Sequence, residues 1–273
     1  MPIVDSFFTL EEAELSRQFM AEGYVIHEVD DRGALDELRA EVVKLVCRQL
    51  GCGLPADDGA FLDAIHEQVR PEKLNDLRLF VFRALNELKW MRPTFYSIGR
   101  TLLAALVGNE LAMQNRVNLS IQMAHDDSSL LDLHSDVYGG ETPFQAVQWL
   151  PLVDVSETKS MFILPQAKTK VVAQNLNSLG EQGMSAIYES VKGDLVWLNV
   201  PYGKVLIFNS SCLHGNIVNK TATTRWSLNC RFTGLFTPYT SYEKTLGSFY
   251  LPITTRAASR VGMRYEQPGG FEE

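Results

Sequence analysis

The stretch TRWSLNCRFTGLF, residues 224–236, alternates polar and apolar side chains. Successive side chains of a β-strand point to opposite faces, so the stretch is predicted to be a strand with one apolar face. The apolar face would hold Trp226, Leu228, Cys230 and Phe232, and the polar face Arg225, Ser227, Asn229 and Arg231. The polar face either contacts solvent or lines a site.

Working outward, residues 115–124 show the same alternation, with Asn118, Ser120 and Gln122 on the polar face. Further short strands are predicted at residues 144–153, 160–164, 194–200 and 205–209. Runs of short strands separated by glycine- and proline-bearing turns are typical of a sandwich or a jelly-roll barrel.

Residues 1–114 have a different pattern and are predicted to be mainly helical, with a first short strand at 24–26. Helices are predicted at about 9–21, 33–50, 71–89 and 93–107, with a loop at 51–59. The chain is interpreted as one domain, residues 1–273, in which 115–236 form the β core and 237–273 lie on the substrate side. Residues 168–192 lack a clear period and are predicted to cover one mouth of the barrel.

Composition excludes several classes of function. The chain has 273 residues, 45% of them apolar, and a formal net charge of -8. The acidic balance argues against nucleic acid or an anionic membrane as a partner, and no apolar run is long enough to span a bilayer. The N-terminus lacks the features of a signal peptide. The four cysteines are too scattered for a disulfide framework, so a cytoplasmic location with free thiols is expected.

His134-Ser135-Asp136 is a candidate metal-binding pair, because residues i and i+2 of a strand point the same way. With five histidines and 33 acidic residues, an accidental match is unsurprising, and a second copy exists at His125-Asp126-Asp127. Apolar residues flank His134 on both sides, whereas a polar stretch typical of an exposed turn follows His125. The first copy is therefore the predicted site.

His214, which follows the apolar run at 205–208, would supply a third ligand. Two histidines and one carboxylate on one face of a metal form the usual site of non-haem iron(II) oxygenases. Arg225 and Ser227, on one face of the next strand, could together receive a carboxylate, since guanidinium forms bidentate pairs with carboxylates.

These motifs, with residues 148–155 (QWLPLVDV) and 162–165 (FILP), resemble in order and spacing the phytanoyl-CoA hydroxylase-like family. The C-terminal stretches 245–252 and 265–266 look like a branch of bacterial oxygenases from sporadic carbohydrate gene clusters. One departure is the turn Pro165-Gln166-Ala167-Lys168, where the family usually has Pro-Gly-Ser-His. That loop helps to shape the substrate entrance, so substrate identity does not carry over.

The resemblance implies a mainly β fold: a double-stranded β-helix (cupin-like jelly roll) with flanking helices. It implies Fe(II) on His134, Asp136 and His214, with 2-oxoglutarate as cosubstrate on Arg225 and Ser227, and O2 as the oxidant. Gln122 is a second candidate contact to the cosubstrate. The expected reaction is hydroxylation of an unactivated carbon of a small molecule, such as a sugar, a sugar nucleotide or a natural-product intermediate.

Two other functions remain open. One is a cupin-like metal-dependent sugar isomerase or epimerase that does not use 2-oxoglutarate, and the other is a catalytically inactive barrel that serves as a binding module. Candidate substrate contacts are Arg231, Tyr138, Trp197, Arg256 and Tyr265, although aromatic residues at such spacings more often belong to a core.

Overall fold

Helices form most of the N-terminal part of the chain, as predicted. The structure is a computed structural model that describes residues 6–175 and 184–266. Its helices before the β core are α1 (Leu10–Glu22), α2 (Arg32–Leu50), α3 (Asp58–Asp63), α4 (Pro71–Glu87), α5 (Met91–Ile98) and α6 (Arg100–Leu106). None of the helices in these ranges is long and apolar enough to cross a membrane.

Local capping chemistry sets the helix ends. Thr9 and Glu12 form a capping box at the start of α1, and Gly23 ends that helix in the left-handed conformation. Asp57 caps α3, which the sequence analysis assigned in part to a loop. The predicted helix 93–107 is divided at Gly99, where a Cβ would lie 2.5 Å from Oε1 of Gln148. A side chain at this position would therefore displace the amide of Gln148, whose Nε2 donates to the carbonyl of Phe95 at 2.6 Å.

The strands form two antiparallel sheets. In the described residues the larger sheet has seven strands: β1 (Tyr24–Glu28), β2 (Leu111–Gln114), β3 (Asn118–Gln122), β4 (Gln145–Pro151), β7 (Lys204–Asn209), β9 (Arg225–Gly234) and β10 (Tyr250–Pro252). The smaller sheet contains β5 (Phe162–Ile163), β6 (Val196–Trp197) and β8 (His214–Gly215). β9 pairs with β4 along one edge and with β3 and then β2 along the other.

The alternation in β9 is confirmed. Trp226, Leu228, Cys230 and Phe232 are all fully buried in one continuous apolar core that also contains residues of α2, α4 and α5. The indole Nε1 of Trp226 donates a hydrogen bond to the carbonyl of Leu62 at 2.9 Å. The core face of β9 therefore packs against the helical part of the chain, and its polar face is directed to the other side.

Of the described residues, 42% are helical and 20% lie in strands, so the chain contains more helix than the expected mainly β fold. Residues 168–192, which lack a clear period in the sequence and were predicted to cover one mouth of the barrel, include most of helix α7 (Gln166–Gln174) and all of helix α8 (Met184–Val191). Residues 176–183 lie outside the described ranges. Val172 of α7 and Ile187 of α8 are buried in a second apolar core with Phe162. These helices have only nine and eight residues, little more than two turns each, so a helical period is hard to recognise in them.

Strands β2 and β10 were also not predicted. They pair with each other, Tyr250 opposite Gln114 and Pro252 opposite Ala112. Each has four residues or fewer, which is too short for an alternating pattern to be recognised. Their pairing places residues near Tyr250 beside the polar face of the sheet.

Candidate metal centre

The two predicted histidine ligands lie side by side. His134 and His214 form an antiparallel bridge in which each backbone N–H donates to the other's carbonyl at 2.9 Å. Their ring centroids are 4.3 Å apart. This backbone pairing, rather than a loop, sets the distance between the two imidazoles.

Hydrogen bonds fix the tautomer of both rings. Nδ1 of His134 lies 2.7 Å from the carbonyl oxygen of Asp132, and Nδ1 of His214 lies 2.9 Å from that of Cys212. A carbonyl oxygen can only accept, so each Nδ1 carries the proton and each Nε2 has a free lone pair. A second-shell bond of this kind is usual for histidines that bind a metal through Nε2.

Asp136 completes the group. It begins a short 3₁₀ turn, Asp136–Gly139, and its backbone N–H donates to the carbonyl of Ser210 at 3.1 Å. One ligand atom from each of His134, Asp136 and His214 lies within 4.8 Å of the others, and no other such group of three occurs in residues 6–175 and 184–266. The three candidate ligands named from the sequence therefore lie together in the structure. The set of two imidazoles and one carboxylate suits iron(II).

The protonation states also suit a metal. Burial disfavours the charged imidazolium and lowers the pKa of His214 to about 4, so the ring is neutral near pH 7. Burial alone would raise the pKa of the Asp136 carboxyl, but the guanidinium of Arg231 and the neighbouring histidines outweigh it, and the pKa is lowered. Neutral imidazoles and an ionised carboxylate are the forms that bind metal.

A pH-dependent stability follows from His214. In the metal-free protein, its depressed pKa means that the unfolded chain takes up a proton below about pH 6.5 while the folded chain stays neutral until about pH 4. Stability is therefore lost as the pH falls through this range, by about 3 kcal/mol at most from this residue. Urea unfolding of the metal-free protein across that range would measure the loss. The His214→Gln variant should show a shallower slope, and equal slopes for both proteins would contradict the prediction.

Arg225 is a buried cation without an anionic partner. It is 3% exposed, and burial lowers its pKa to about 10, so it is still charged near pH 7. Nη1 donates to the carbonyl of Ser160 at 3.3 Å and Nη2 to Oγ of Ser120 at 3.2 Å, whereas Nε has no partner. No carboxylate of the described chain lies within 4.0 Å of the guanidinium. An uncompensated buried charge costs several kcal/mol, so the site is built for an anion.

The other two predicted cosubstrate residues lie nearby. Ser227 is opposite Ser120 in the β3–β9 pairing, and its buried Oγ has no hydrogen-bond partner in the described chain. Gln122 is opposite Arg225, and its Nε2 donates to the carbonyl of Ile217 at 2.6 Å. Ser120, which the sequence analysis placed on the polar face of its strand without a role, is the hydroxyl that contacts Arg225.

The metal ligands and Arg225 share one cavity of about 100 Å³. Ser120 and Arg225 line it together with the three ligand residues, and its apolar wall is formed by Val147, Trp149, Met161 and Phe208. The cavity therefore brings together a buried cation, the candidate metal-binding group and apolar side chains, whereas Ser227 and Gln122 do not line it.

A polar cluster beside Asp136 was missed by the sequence analysis. Arg231 donates to Asp136 Oδ1 at 2.9 Å, and its Nε lies 3.5 Å from Glu141, which is buried. Glu141 also pairs with Lys244 at 3.0 Å and accepts a hydrogen bond from the hydroxyl of Tyr250 at 2.9 Å. Residues of the C-terminal segment thus support the loop that carries a metal ligand. The sequence feature that could have indicated this cluster is the short spacing between Asp136 and Glu141.

The rival motif and most of the candidate substrate contacts lie elsewhere. His125 and Asp127 are exposed in a turn, and His125 has a φ of 57°. Arg231 lines the cavity, but Trp197 packs against Phe162 at 5.3 Å between ring centroids, in the second core. Three further residues are exposed and do not line the cavity: Tyr138, Arg256 and Tyr265.

The fold is shared with solved non-haem enzymes. The non-haem monooxygenase ThoJ, as a nickel complex, matches with a TM-score of 0.56 and 17% identity over 89% of this chain and 84% of that protein. HygX from Streptomyces hygroscopicus, solved with nickel and 2-oxoglutarate, matches with a TM-score of 0.53 and 16% identity over 85% and 89%. The non-haem α-ketoglutarate-dependent carbocyclase SnoK, from nogalamycin biosynthesis, matches with a TM-score of 0.54 and 15% identity over 93% and 100%.

Sequence comparisons add no closer relationship. No protein-family model matches the chain, and a search of curated proteins found no match either. Identities of 15–17% establish similarity of fold and not of activity. The chain thus has the fold of these non-haem enzymes.

Proposed function

We propose that the protein is an Fe(II)/2-oxoglutarate-dependent oxygenase that hydroxylates an unactivated carbon of a small molecule. The observation that carries the proposal is the pairing, in one small cavity, of a two-histidine, one-carboxylate group with a buried arginine that has no carboxylate partner in the described chain. 2-Oxoglutarate carries a carboxylate at one end and a metal-chelating keto acid at the other. These two groups match the buried arginine and the candidate metal ligands that line the cavity.

The cosubstrate contacts follow from the unpaired polar atoms. Arg225 would hold the distal carboxylate through its guanidinium, and the hydroxyl of Ser120, which also lines the cavity, could add a hydrogen bond. Ser227 lies on the same face of β9 with an unpartnered Oγ in the described chain, but it does not line the cavity. Nε2 of Gln122 donates one of its two N–H groups to the carbonyl of Ile217, and its Oε1 has no partner in the described chain. Gln122 does not line the cavity, so its role would be to support the wall beside Arg225.

His134, Asp136 and His214 would hold the iron on one side and leave the opposite side open. When bound, iron(II) couples the oxidative decarboxylation of 2-oxoglutarate by O2 to the oxidation of a C–H bond. Arg231 keeps the Asp136 carboxylate ionised and oriented through a 2.9 Å hydrogen bond. Val147, Met161 and Phe208 limit the access of water to the reacting carbon.

Within this function, we propose membership of the phytanoyl-CoA hydroxylase-like family and of its carbohydrate-cluster branch, with a core that is a double-stranded β-helix. The departure at residues 165–168 has a structural counterpart. Gln166 begins α7, and its Oε1 accepts hydrogen bonds from Asn209 at 3.2 Å and from the thiol of Cys212 at 2.9 Å. This turn therefore braces the segment that leads to His214 instead of presenting a histidine at the entrance.

The alternative is a cupin-like sugar isomerase or epimerase. Such an enzyme uses no cosubstrate carboxylate, so it would provide no such anion for the buried guanidinium of Arg225. An inactive binding module is disfavoured by the residues at the candidate metal site. All three ligand positions are occupied by competent residues, and their tautomers and charges suit a metal.

Anaerobic spectroscopy tests the proposal directly. Addition of Fe(II) and 2-oxoglutarate together should produce a visible charge-transfer band, because the keto acid would chelate the metal, whereas either addition alone should not. Titration of the band gives the apparent Kd of the cosubstrate. A well-folded protein that binds Fe(II) but shows no band would exclude 2-oxoglutarate as the cosubstrate and favour the isomerase.

A further inference from the structure

A second, larger cavity adjoins the metal centre. It is a cleft of about 540 Å³ between helix α4 and strand β3, bounded on the other side by the loop at residues 128–131. Pockets for small ligands commonly have volumes of about 300–1,000 Å³. The cleft is therefore large enough for a substrate, whereas the cavity at the metal is much smaller.

The cleft opens onto the metal centre. Five residues line both spaces: Ser120, Leu131, His134, Asn229 and Arg231. One of them, His134, is a metal ligand in the proposed function. A molecule bound in the cleft would thus approach the metal centre at the boundary that these five residues form.

The wall of the cleft is mixed, with polar and basic groups beside apolar side chains such as Leu74, Ile121 and Leu130. Amide and hydroxyl groups come from Asn75, Asn118, Asn229, Ser128 and Ser129. The described residues that line the cleft include two arginines and neither aspartate nor glutamate, in a chain whose formal net charge is -8. The cleft therefore presents positive charge without a carboxylate in its lining, and its amide and hydroxyl groups suit a ligand that carries hydroxyl groups.

Arg78 differs from the other arginine of the cleft. Arg231 is held by Asp136 and Glu141, so its charge is compensated. Arg78 is half-buried on α4 and donates from Nη2 to Oδ1 of Asn75 at 2.7 Å. Within the described chain, no carboxylate lies within 4.0 Å of its guanidinium. Its fork of N–H donors is therefore available to a ligand.

From this arrangement we infer that the substrate is a hydroxylated small molecule with an anionic group, phosphate or carboxylate, and that Arg78 binds this group in the cleft. The inference rests on the proposed function, since it takes the adjoining metal centre as the place of reaction. The anion would lie at the α4 side, and the amides of Asn118 and Asn229 would contact the hydroxyl groups. Arg78 then determines specificity without contacting the reacting carbon.

Binding of three matched probes to the metal-free full-length chain tests this inference independently of iron and 2-oxoglutarate. Isothermal titration with glucose 6-phosphate, glucuronate and glucose, at constant ionic strength, should give binding of at least one acidic probe and none or weaker binding of glucose. Preference for the phosphate or for the carboxylate identifies which anion the cleft takes. If no acidic probe binds at millimolar concentration, or if glucose binds equally well, the inference is wrong.

Two variants on the same helix locate the contact. Arg78→Gln should weaken binding of the acidic probe by about tenfold or more, because a charge-assisted contact is lost. Arg83→Gln removes the same charge from an exposed position of α4 outside the cleft and should leave binding unchanged. Equal effects of the two changes would show that only overall charge matters. A missing charge-transfer band in a protein that still binds the acidic probe through Arg78 would refute the proposed function alone.

Discussion

Alanine in place of His134 or Asp136 is expected to abolish 2-oxoglutarate-dependent succinate formation, with a loss of more than about 100-fold. Removal of a mere outer-shell partner of a metal site typically costs 10–100-fold, and these residues are two of only three protein ligands. The Asp136→Ala change does not leave Arg231 without a counterion, since Glu141 lies 3.5 Å from its Nε. Loss of activity in a folded variant would therefore report the metal ligand itself.

The second His-x-acid motif provides the matched control. Asp127→Ala and His125→Asn should remain within a few-fold of wild type, because both residues are exposed in a turn away from the cavity. Asparagine is chosen at position 125 because His125 has a φ of 57°, a conformation that asparagine tolerates better than alanine. Circular dichroism and the content of bound iron should be measured for all four variants. If the control changes abolish activity and the His134 and Asp136 changes do not, the metal lies at the upstream motif.

Arg225→Lys is expected to raise the Kd of 2-oxoglutarate by about tenfold or more, equivalent to at least about 1.4 kcal/mol. Lysine keeps a positive charge but cannot form the bidentate pair with a carboxylate. Burial already lowers the pKa of Arg225 to about 10. Lysine begins from an ordinary pKa of about 10.4, so the same environment would bring its pKa closer to neutrality and weaken binding further as the pH rises.

Titration of the anaerobic charge-transfer band at two pH values would measure both effects. Arg116→Lys, on an exposed residue outside the cavity, serves as the control and should bind 2-oxoglutarate like wild type. An unchanged Kd in the Arg225→Lys protein would mean that another residue receives the distal carboxylate. A Kd that rises without any dependence on pH would support the loss of the bidentate pair alone.

The ligand residues could be found in the sequence because their chemistry is local. His134 and Asp136 are separated by one residue, and apolar neighbours favoured this copy of the motif, whose residues the structure places beside His214. Arg225 could be assigned to the polar face of its strand from alternation alone, and Trp226 to the core. The structure agrees with both assignments. Helix α1 was likewise predicted from its N-cap and its terminal glycine.

The helices α7 and α8 could not be predicted as easily, and the reason is physical. Each has only eight or nine residues, and their buried residues Val172 and Ile187 belong to the second core with Phe162. Tertiary packing supplies most of the stability of short helices in proteins, so a weak local pattern carries little information. The same holds for the strands β2 and β10, which are stabilised by pairing with distant segments.

By itself, the sequence determined the residue types of the metal site, the faces of the strands and the helical nature of the first part of the chain. Each of these depends on periodicity or spacing over a few residues. Only the tertiary structure decided that Glu141 meets Arg231, that Arg225 has no carboxylate partner in the described chain, and that Arg78 lies in a cleft beside the metal centre. Those facts depend on which distant segments become neighbours, and hydrophobic periodicity records burial but not the identity of the neighbour.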